Sequence, residues 1–260
     1  MEVRAKKALG QHFLTDQSIA RAIVDALGAE GPADVLEVGP GMGVLTQYLL
    51  QRPDVNLKMV ELDGESVQYL MSHFQGLQGR LLEADYLKLD TKKLFPGPYR
   101  VIGNFPYYIS SQIFFKILED KDRVPEVVGM IQKEVADRIA EPPGTKTYGI
   151  LSVLLQAWYD IDYVLSVGSG AFNPPPKVQS AVIRLRRNSR TELGCDEKLF
   201  KNVVKTAFNQ RRKTLRNALK PLLTEGADTS DPIFEKRAEK LSVEDFVRLT
   251  LLISKNNSYI

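Results

Sequence analysis

The sequence predicts an α/β protein: a doubly wound, mostly parallel sheet followed by a small all-helical C-terminal domain. Three observations point there. Strand-like and helix-like stretches alternate from Ala33 to Gln132. The first strand-like stretch runs straight into a glycine turn, "EVGPGMG". Strand signals then stop after Arg187, and helical spacing takes over. The expected division is residues 1–187 for the sheet domain with its basic N-terminal arm, and 188–260 for the helical domain.

Ahead of the sheet, "DQSIARAIVDALG" carries Asp16 as a candidate N-cap. Ile19, Ile23, Val24 and Leu27 stand at helical spacing, and Gly28 is a stop. The alternation then reads as strand "ADVLEV", helix "GVLTQYLLQR", strand "NLKMVEL", helix "GESVQYLMSHF" and strand "GRLLEAD". "YRVIGN" is a fourth strand, "SSQIFFKILE" a helix and "PEVVGMIQ" a fifth strand. "DIDYVLSV" and "VQSAVIRLRR", joined through the proline-rich "AFNPPPK", read as an antiparallel pair at the sheet's edge. Beyond Arg187, "CDEKLFKNVVKTAFNQ", "RKTLRNALKPLL" and "SVEDFVRLTLLIS" are helical.

With 260 residues, 43% of them hydrophobic, the chain can bury a full core. Nowhere do eighteen apolar residues run together, and "MEVRAKKALGQHFL" lacks the apolar core of a signal peptide. A cytoplasmic protein with no membrane partner is expected. Cys195 is the single cysteine, which excludes an intrachain disulfide, and two histidines beside it cannot supply a typical structural zinc site. No metal is expected. The net charge of +3 is unevenly placed. Lys198, Lys201, Lys205, Arg211, Arg212, Lys213, Arg216 and Lys220 occur in one stretch without an acid, leaving the remainder net acidic. A solvated helix face is the ordinary reading of such a run; a polyanion partner is the functional one.

Four features fall at strand ends, where open parallel sheets bind ligands. Gly39, Gly41 and Gly43 after Glu37 form G-x-G-x-G, which lacks the last glycine of the dinucleotide pattern and favours a ligand without a phosphate. Glu61, ending the second strand, can accept both hydrogen bonds of a ribose diol. Asp85, ending the third, can accept from an adenine amino group. "GNFPYYISS" ends the fourth. There Asn104 and the turn at Pro106 offer acceptors to an exocyclic amine, and Tyr107 can stack on the base that carries it. This suits methyl transfer to a base nitrogen.

Together, "KKALGQHFLTD", "EVGPGMGVLT", "VELD", "EADYL", "GNFPYYISS" and "AFNPPPKVQSAV" closely resemble the ribosomal RNA adenine dimethyltransferases of KsgA type. The resemblance runs from about Lys6 to Leu219. It implies a Rossmann-like fold, S-adenosylmethionine as cofactor, and the small ribosomal subunit and its RNA as partner, with a monomer as the expected state. The implied reaction is N6,N6-dimethylation of two adjacent adenosines in a hairpin loop near the 3′ end of small-subunit RNA. Macrolide-resistance methylases of large-subunit RNA share the catalytic motifs, while "KTAFNQRRKTLRNALK" resembles the small-subunit enzymes. A non-catalytic assembly or transcription factor on the same fold is the alternative from another class.

Carried over residue by residue, the resemblance lays Gln11, His12 and Leu14 over the cofactor. Gly39 and Gly41 go beside its methionine part, Glu61 to the ribose hydroxyls and Asp85 to the adenine amino group, with Glu37, Leu62 and Tyr86 as further cofactor contacts. Asn104, Pro106 and Tyr107 form the catalytic turn, Asn104 also touching the cofactor, and Phe172 stacks on the opposite face of the target base. From residues alone Phe172 reads as core. Arg4, Lys6 and Lys7 join the C-terminal basic residues as phosphate contacts. Three positions depart from the family pattern: His12 and Tyr108 each stand where asparagine is common, and Phe105 where leucine is usual. The His12 contact is therefore expected through its backbone, and Tyr108 has no assigned role.

Overall fold

The computed structural model describes residues 5, 6, 11–28 and 31–257. A two-residue strand, β1 (Phe13–Leu14), leads into α1 (Gln17–Ala26). Asp16 caps α1 as its sequence predicts, its carboxylate accepting from the Ser18 and Ile19 amides that the first helical turn leaves without partners. The alternating region follows as β2 (Ala33–Val38), α2 (Thr46–Leu49), β3 (Val55–Glu61), α3 (Gly64–His73), β4 (Leu81–Glu83), β5 (Arg100–Asn104), α4 (Ser110–Glu119) and β6 (Glu126–Gln132). Next come α5 (Lys133–Ala140), α6 (Ile150–Gln156), β7 (Tyr159–Val167), β8 (Phe172–Asn173) and β9 (Ser180–Arg187). The chain closes with α7 (Glu197–Asn209), α8 (Leu215–Ala218) and α9 (Val243–Asn257).

Among the described residues, seven strands form one sheet in the order β4-β3-β2-β5-β6-β9-β7. The first five are parallel neighbours, and β9 runs antiparallel to β6. Strands covered by helices on both faces need apolar residues on both. Val35, Leu36, Val101, Ile102, Val127 and Val128 are accordingly all fully buried. From β2 the chain winds outward through β3 and β4, then returns to build β5 on the other side. That reversal opens a crevice beyond the carboxyl ends of β2 and β5.

Three features differ from the sequence reading. "GVLTQYLLQR" yields only the four-residue α2, since Gly43 adopts a positive φ of 81° and Pro53 bars continuation. β1 pairs antiparallel with β8, Phe13 opposite Asn173 and Leu14 opposite Phe172, a contact between segments too distant in sequence to leave a local signal. The domain division also changes. The chain splits into two compact units, Met1–Ala136 with Asp160–Arg187, and Asp137–Tyr159 with Asn188–Ile260. The break at residue 187 is kept, but 137–159 joins the helical unit. Its α6 buries residues all round, Leu151 to Leu155, and packs with α7 and α9. A helix apolar on every side needs other helices to cover it.

Candidate active site

The site grows from the ends of β2, β3, β4 and β5. After Val38, Gly39 and Gly41 take φ of 70° and 56°, a region that other residues enter only with strain. Gly41 serves a second purpose, because a Cβ there would come within 3.3 Å of the Phe13 ring. Its amide donates to Glu61 Oε2 at 3.0 Å, and the Asp63 amide donates to Glu61 Oε1 at 2.9 Å. The Glu61 carboxylate is thus fastened at both oxygens, while burial pulls its pKa upward. Asp85 Oδ1 accepts from the Leu87 amide at 2.9 Å, capping the turn after β4, and Oδ2 lies 3.7 Å from Lys88 Nζ. Glu37 is 1% exposed. Its Oε2 accepts from Thr46 Oγ1 at 2.7 Å. Burial pushes the carboxyl up to about 8, with Glu61 adding to the rise and the Thr46 hydrogen bond opposing it.

The turn after β5 is held by a ring in a glycine slot. Gly103 and Gly129 are paired across β5 and β6, and a Cβ on either would strike the Phe105 ring at 2.9 and 2.6 Å. Phe105 therefore lies flat over the pair, 1% exposed and edge-on to Phe114. This anchor points Asn104 and Pro106 out of the core. Asn104 Nδ2 donates to the His12 carbonyl at 3.2 Å, which leaves Oδ1 to accept. The Pro106 carbonyl takes the Ile109 amide at 3.2 Å and keeps a second lone pair. The tyrosines then diverge. Tyr107 is half-buried, its hydroxyl 2.5 Å from Ser180 Oγ. Tyr108 is 52% exposed; partial burial raises its pKa, and the charges of Asp85 and Glu61 add to the rise.

The N-terminal arm crosses this opening. Lys6 Nζ sits 2.5 Å from Asp63 Oδ1 and 3.1 Å from Glu65 Oε1. The Lys6 amide donates to Gln11 Oε1 at 2.9 Å, and Gln11 Nε2 to Asp63 Oδ2 at 3.3 Å. Asp63 is thus a hub: its side chain receives the arm while its amide fixes Glu61. Sequence reasoning missed it, because an aspartate before "GES" reads as a helix cap.

Every residue expected at the cofactor, Gln11, His12, Leu14, Glu37, Gly39, Gly41, Glu61, Leu62, Asp85, Tyr86 and Asn104, lines one cavity, together with Pro106 and Tyr107. Tyr108 and Ile109 line it as well. The lining contains three carboxylates and neither lysine nor arginine. Such a donor set suits a cationic ligand without phosphate, and S-adenosylmethionine, a sulfonium bearing a nucleoside, fits it.

Other expectations need correction. Phe172 is 4% exposed, belongs to the core cluster beside Leu14 and does not line the cavity. Its pairing through β8 turns the ring inward. Lys6, read as a phosphate contact, has its ammonium committed to Asp63 and Glu65. Arg4 and Lys7 lie outside the described residues. In the helical unit, Arg211 donates to the carbonyls of Lys146 and Tyr148, and Arg216 pairs with Glu235. Both are tied into that unit. Lys198, Arg212, Lys213 and Lys220 are exposed, and Lys201 and Lys205 half-exposed.

The model of the family described as ribosomal RNA adenine dimethylase matches residues 2–255. The chain belongs to the ribosomal RNA adenine dimethylase family. Among its relatives in that family, ribosomal RNA small subunit methyltransferase A of Parabacteroides distasonis is 62% identical over 98% of this chain and 96% of its own length. The protein of the same name from Porphyromonas gingivalis is 56% identical, covering 98% and 100%. Among solved structures, a dimethyladenosine transferase from Plasmodium falciparum superposes with a TM-score of 0.79 at 25% identity, covering 95% of this chain and 98% of that one. The 23S rRNA methyltransferase ErmE reaches 0.69 at 22% identity, covering 93% and 99%, a likeness of fold. Among the described residues no helix is long and apolar enough to cross a membrane.

Proposed function

We propose that this dimethylase transfers methyl groups from S-adenosylmethionine to N6 of two adjacent adenosines in a hairpin loop near the 3′ end of small-subunit ribosomal RNA. The observation that carries this reading is the Asn104–Tyr107 turn, standing at the mouth of a cavity with three carboxylates and no lysine or arginine. The relatives named for the small subunit, 56 to 62% identical, support the choice of RNA.

The cofactor supplies an electrophilic methyl on a sulfonium; the protein's residues supply position and charge. Glu61, already oriented by two backbone amides, uses its remaining lone pairs for the ribose hydroxyls. Asp85 offers Oδ2 to the adenine amino group. Glu37 faces the cationic part, where a positive charge draws its proton off. N6 of adenine is a weak nucleophile, because its lone pair is delocalised into the ring. Asn104 Oδ1 and the Pro106 carbonyl accept its two N–H bonds, so they stabilise the nitrogen as positive charge builds. One well-placed group of this kind contributes about 3 to 4 kcal/mol. Tyr107 gives the base a stacking face. Positioning the base against the methyl that the cofactor would supply would account for most of the rate, and the proton would leave to water. The proposed acting form is a cytoplasmic monomer. The exposed lysines and Arg212 of the helical unit hold phosphates without reading sequence.

The test incubates the protein and tritiated S-adenosylmethionine with unmethylated small subunits, then maps modified nucleosides by mass spectrometry. Dimethyladenosine at two adjacent positions of small-subunit RNA is expected. Label in large-subunit RNA alone identifies a methylase of the macrolide-resistance kind, and RNA binding without label a non-catalytic factor.

A further inference from the structure

The ring that faces Tyr107 in this structure is that of His12. The two centroids are 5.6 Å apart and the planes 26° from parallel. His12 is well held there. Its Nδ1 donates to the Pro174 carbonyl at 2.8 Å, its own carbonyl takes the Asn104 amide, and the next two residues pair with β8. Tyr107 is fixed in turn by Ser180. Both rings line the cavity, and the imidazole covers one face of the Tyr107 ring. A base inserted between two rings needs about 7 Å, two van der Waals separations of about 3.5 Å. The observed spacing leaves no room for it, and Phe172, turned into the core, offers no alternative face.

We propose that His12 is a stand-in for the target base, its imidazole covering Tyr107 until an unstacked adenine held by RNA takes its place. The inference rests on the methyltransferase reading and adds a gating residue to it. The physical basis is an exchange of like for like. An imidazole is one flat ring with an N–H donor, and a purine is two fused rings with more surface to stack. The purine also arrives tethered to phosphates that the protein holds elsewhere, whereas a free nucleoside must displace the ring unaided. Each substrate therefore binds a site that is only partly open, and affinity falls by the fraction that is closed. The His12 ring breaks only an exposed hydrogen bond to Pro174 on leaving, so it can move while β1 and the Asn104 contact to its backbone stay in place.

The sequence contains two histidines, which makes the exchange directly readable. His12 stacks on Tyr107, and His73 stacks on Tyr69 at 3.8 Å. Ring currents shift the imidazole protons of both upfield. The experiment uses the full chain with 13C-labelled histidine and S-adenosylhomocysteine, which has no methyl to transfer, titrated with an unmethylated hairpin bearing two adjacent adenosines. Binding is followed in parallel by fluorescence anisotropy of the hairpin. The His12 signal, assigned by its loss in His12→Ala, should move downfield toward the unstacked position as the hairpin binds, with His73 unmoved. A His12 signal that keeps its upfield shift in the saturated complex overturns the proposal. Kinetics give a second reading with sub-saturating hairpin. His12→Ala should raise kcat/KM several-fold by opening the site, whereas His12→Phe, which keeps a stacking ring, should not. An equal fall in both variants makes the ring structural and rejects the gate. Failure of the underlying reading looks different: the wild type would then place no label in small-subunit RNA at all.

Discussion

Glu37→Gln isolates the energetic consequence of burying an acid at the cofactor cavity. The Glu37 carboxyl is 1% exposed, and burial lifts its pKa from 4.5 to about 8. In the unfolded chain it ionises near its ordinary value, so the folded chain binds the proton more tightly. The sign follows: this group's contribution to stability falls as pH rises between about 4.5 and about 8, then levels off. At ~1.36 kcal/mol per pKa unit the ceiling is ~5 kcal/mol, and between about pH 5.5 and pH 8.5 the change is ~3 kcal/mol. Glutamine keeps an oxygen for the Thr46 hydroxyl and does not ionise. In urea unfolding, the ligand-free wild type should lose ~3 kcal/mol relative to Glu37→Gln over that range, with the variant the more stable at the alkaline end. A cationic cofactor lowers the carboxyl's pKa, so its binding near neutral pH should release close to one proton. Calorimetry in two buffers of different ionisation enthalpy reads this release, which Glu37→Gln should abolish. Parallel pH dependences of stability in the two proteins would refute the assignment of a buried, protonated Glu37.

Three other changes test other parts of the site. Asn104→Ala should reduce methyl transfer by about 10²-fold or more while hairpin affinity in anisotropy stays within about twofold, since the lost acceptor acts on the reacting amine. Phe172→Ala should act on stability, costing ~3 to 5 kcal/mol in denaturant unfolding, because the ring is packed beside Leu14. Asp63→Ala removes the hub between arm and ribose acid. Cofactor affinity by calorimetry should fall about tenfold, with kcat at saturating cofactor much less affected.

The sheet was legible because its information is local. "ADVLEV" and "SSQIFFKILE" form β2 and α4 at the expected residues, since a buried parallel strand and an amphipathic helix each write their own periodicity. The strand-end acids were legible for the same reason, because a glycine turn and a carboxylate at successive strand ends converge in any doubly wound sheet. α6 and β1 were not. A helix apolar all round has no period to detect, and a two-residue strand exists only through its partner.

By itself, then, the sequence determined the parallel sheet, the crevice where its winding reverses, and the residue types that meet there. Tertiary structure decided which of those residues remain available for chemistry. Lys6 carries a positive charge in any fold, but Asp63 and Glu65 claim it here. Phe172 and His12 are both rings near the catalytic turn in sequence logic. The pairing of β1 with β8 turns Phe172 into the core and leaves His12 on Tyr107. The physical reason is that a side chain's availability depends on contacts made by segments more than 150 residues apart. No local pattern records them.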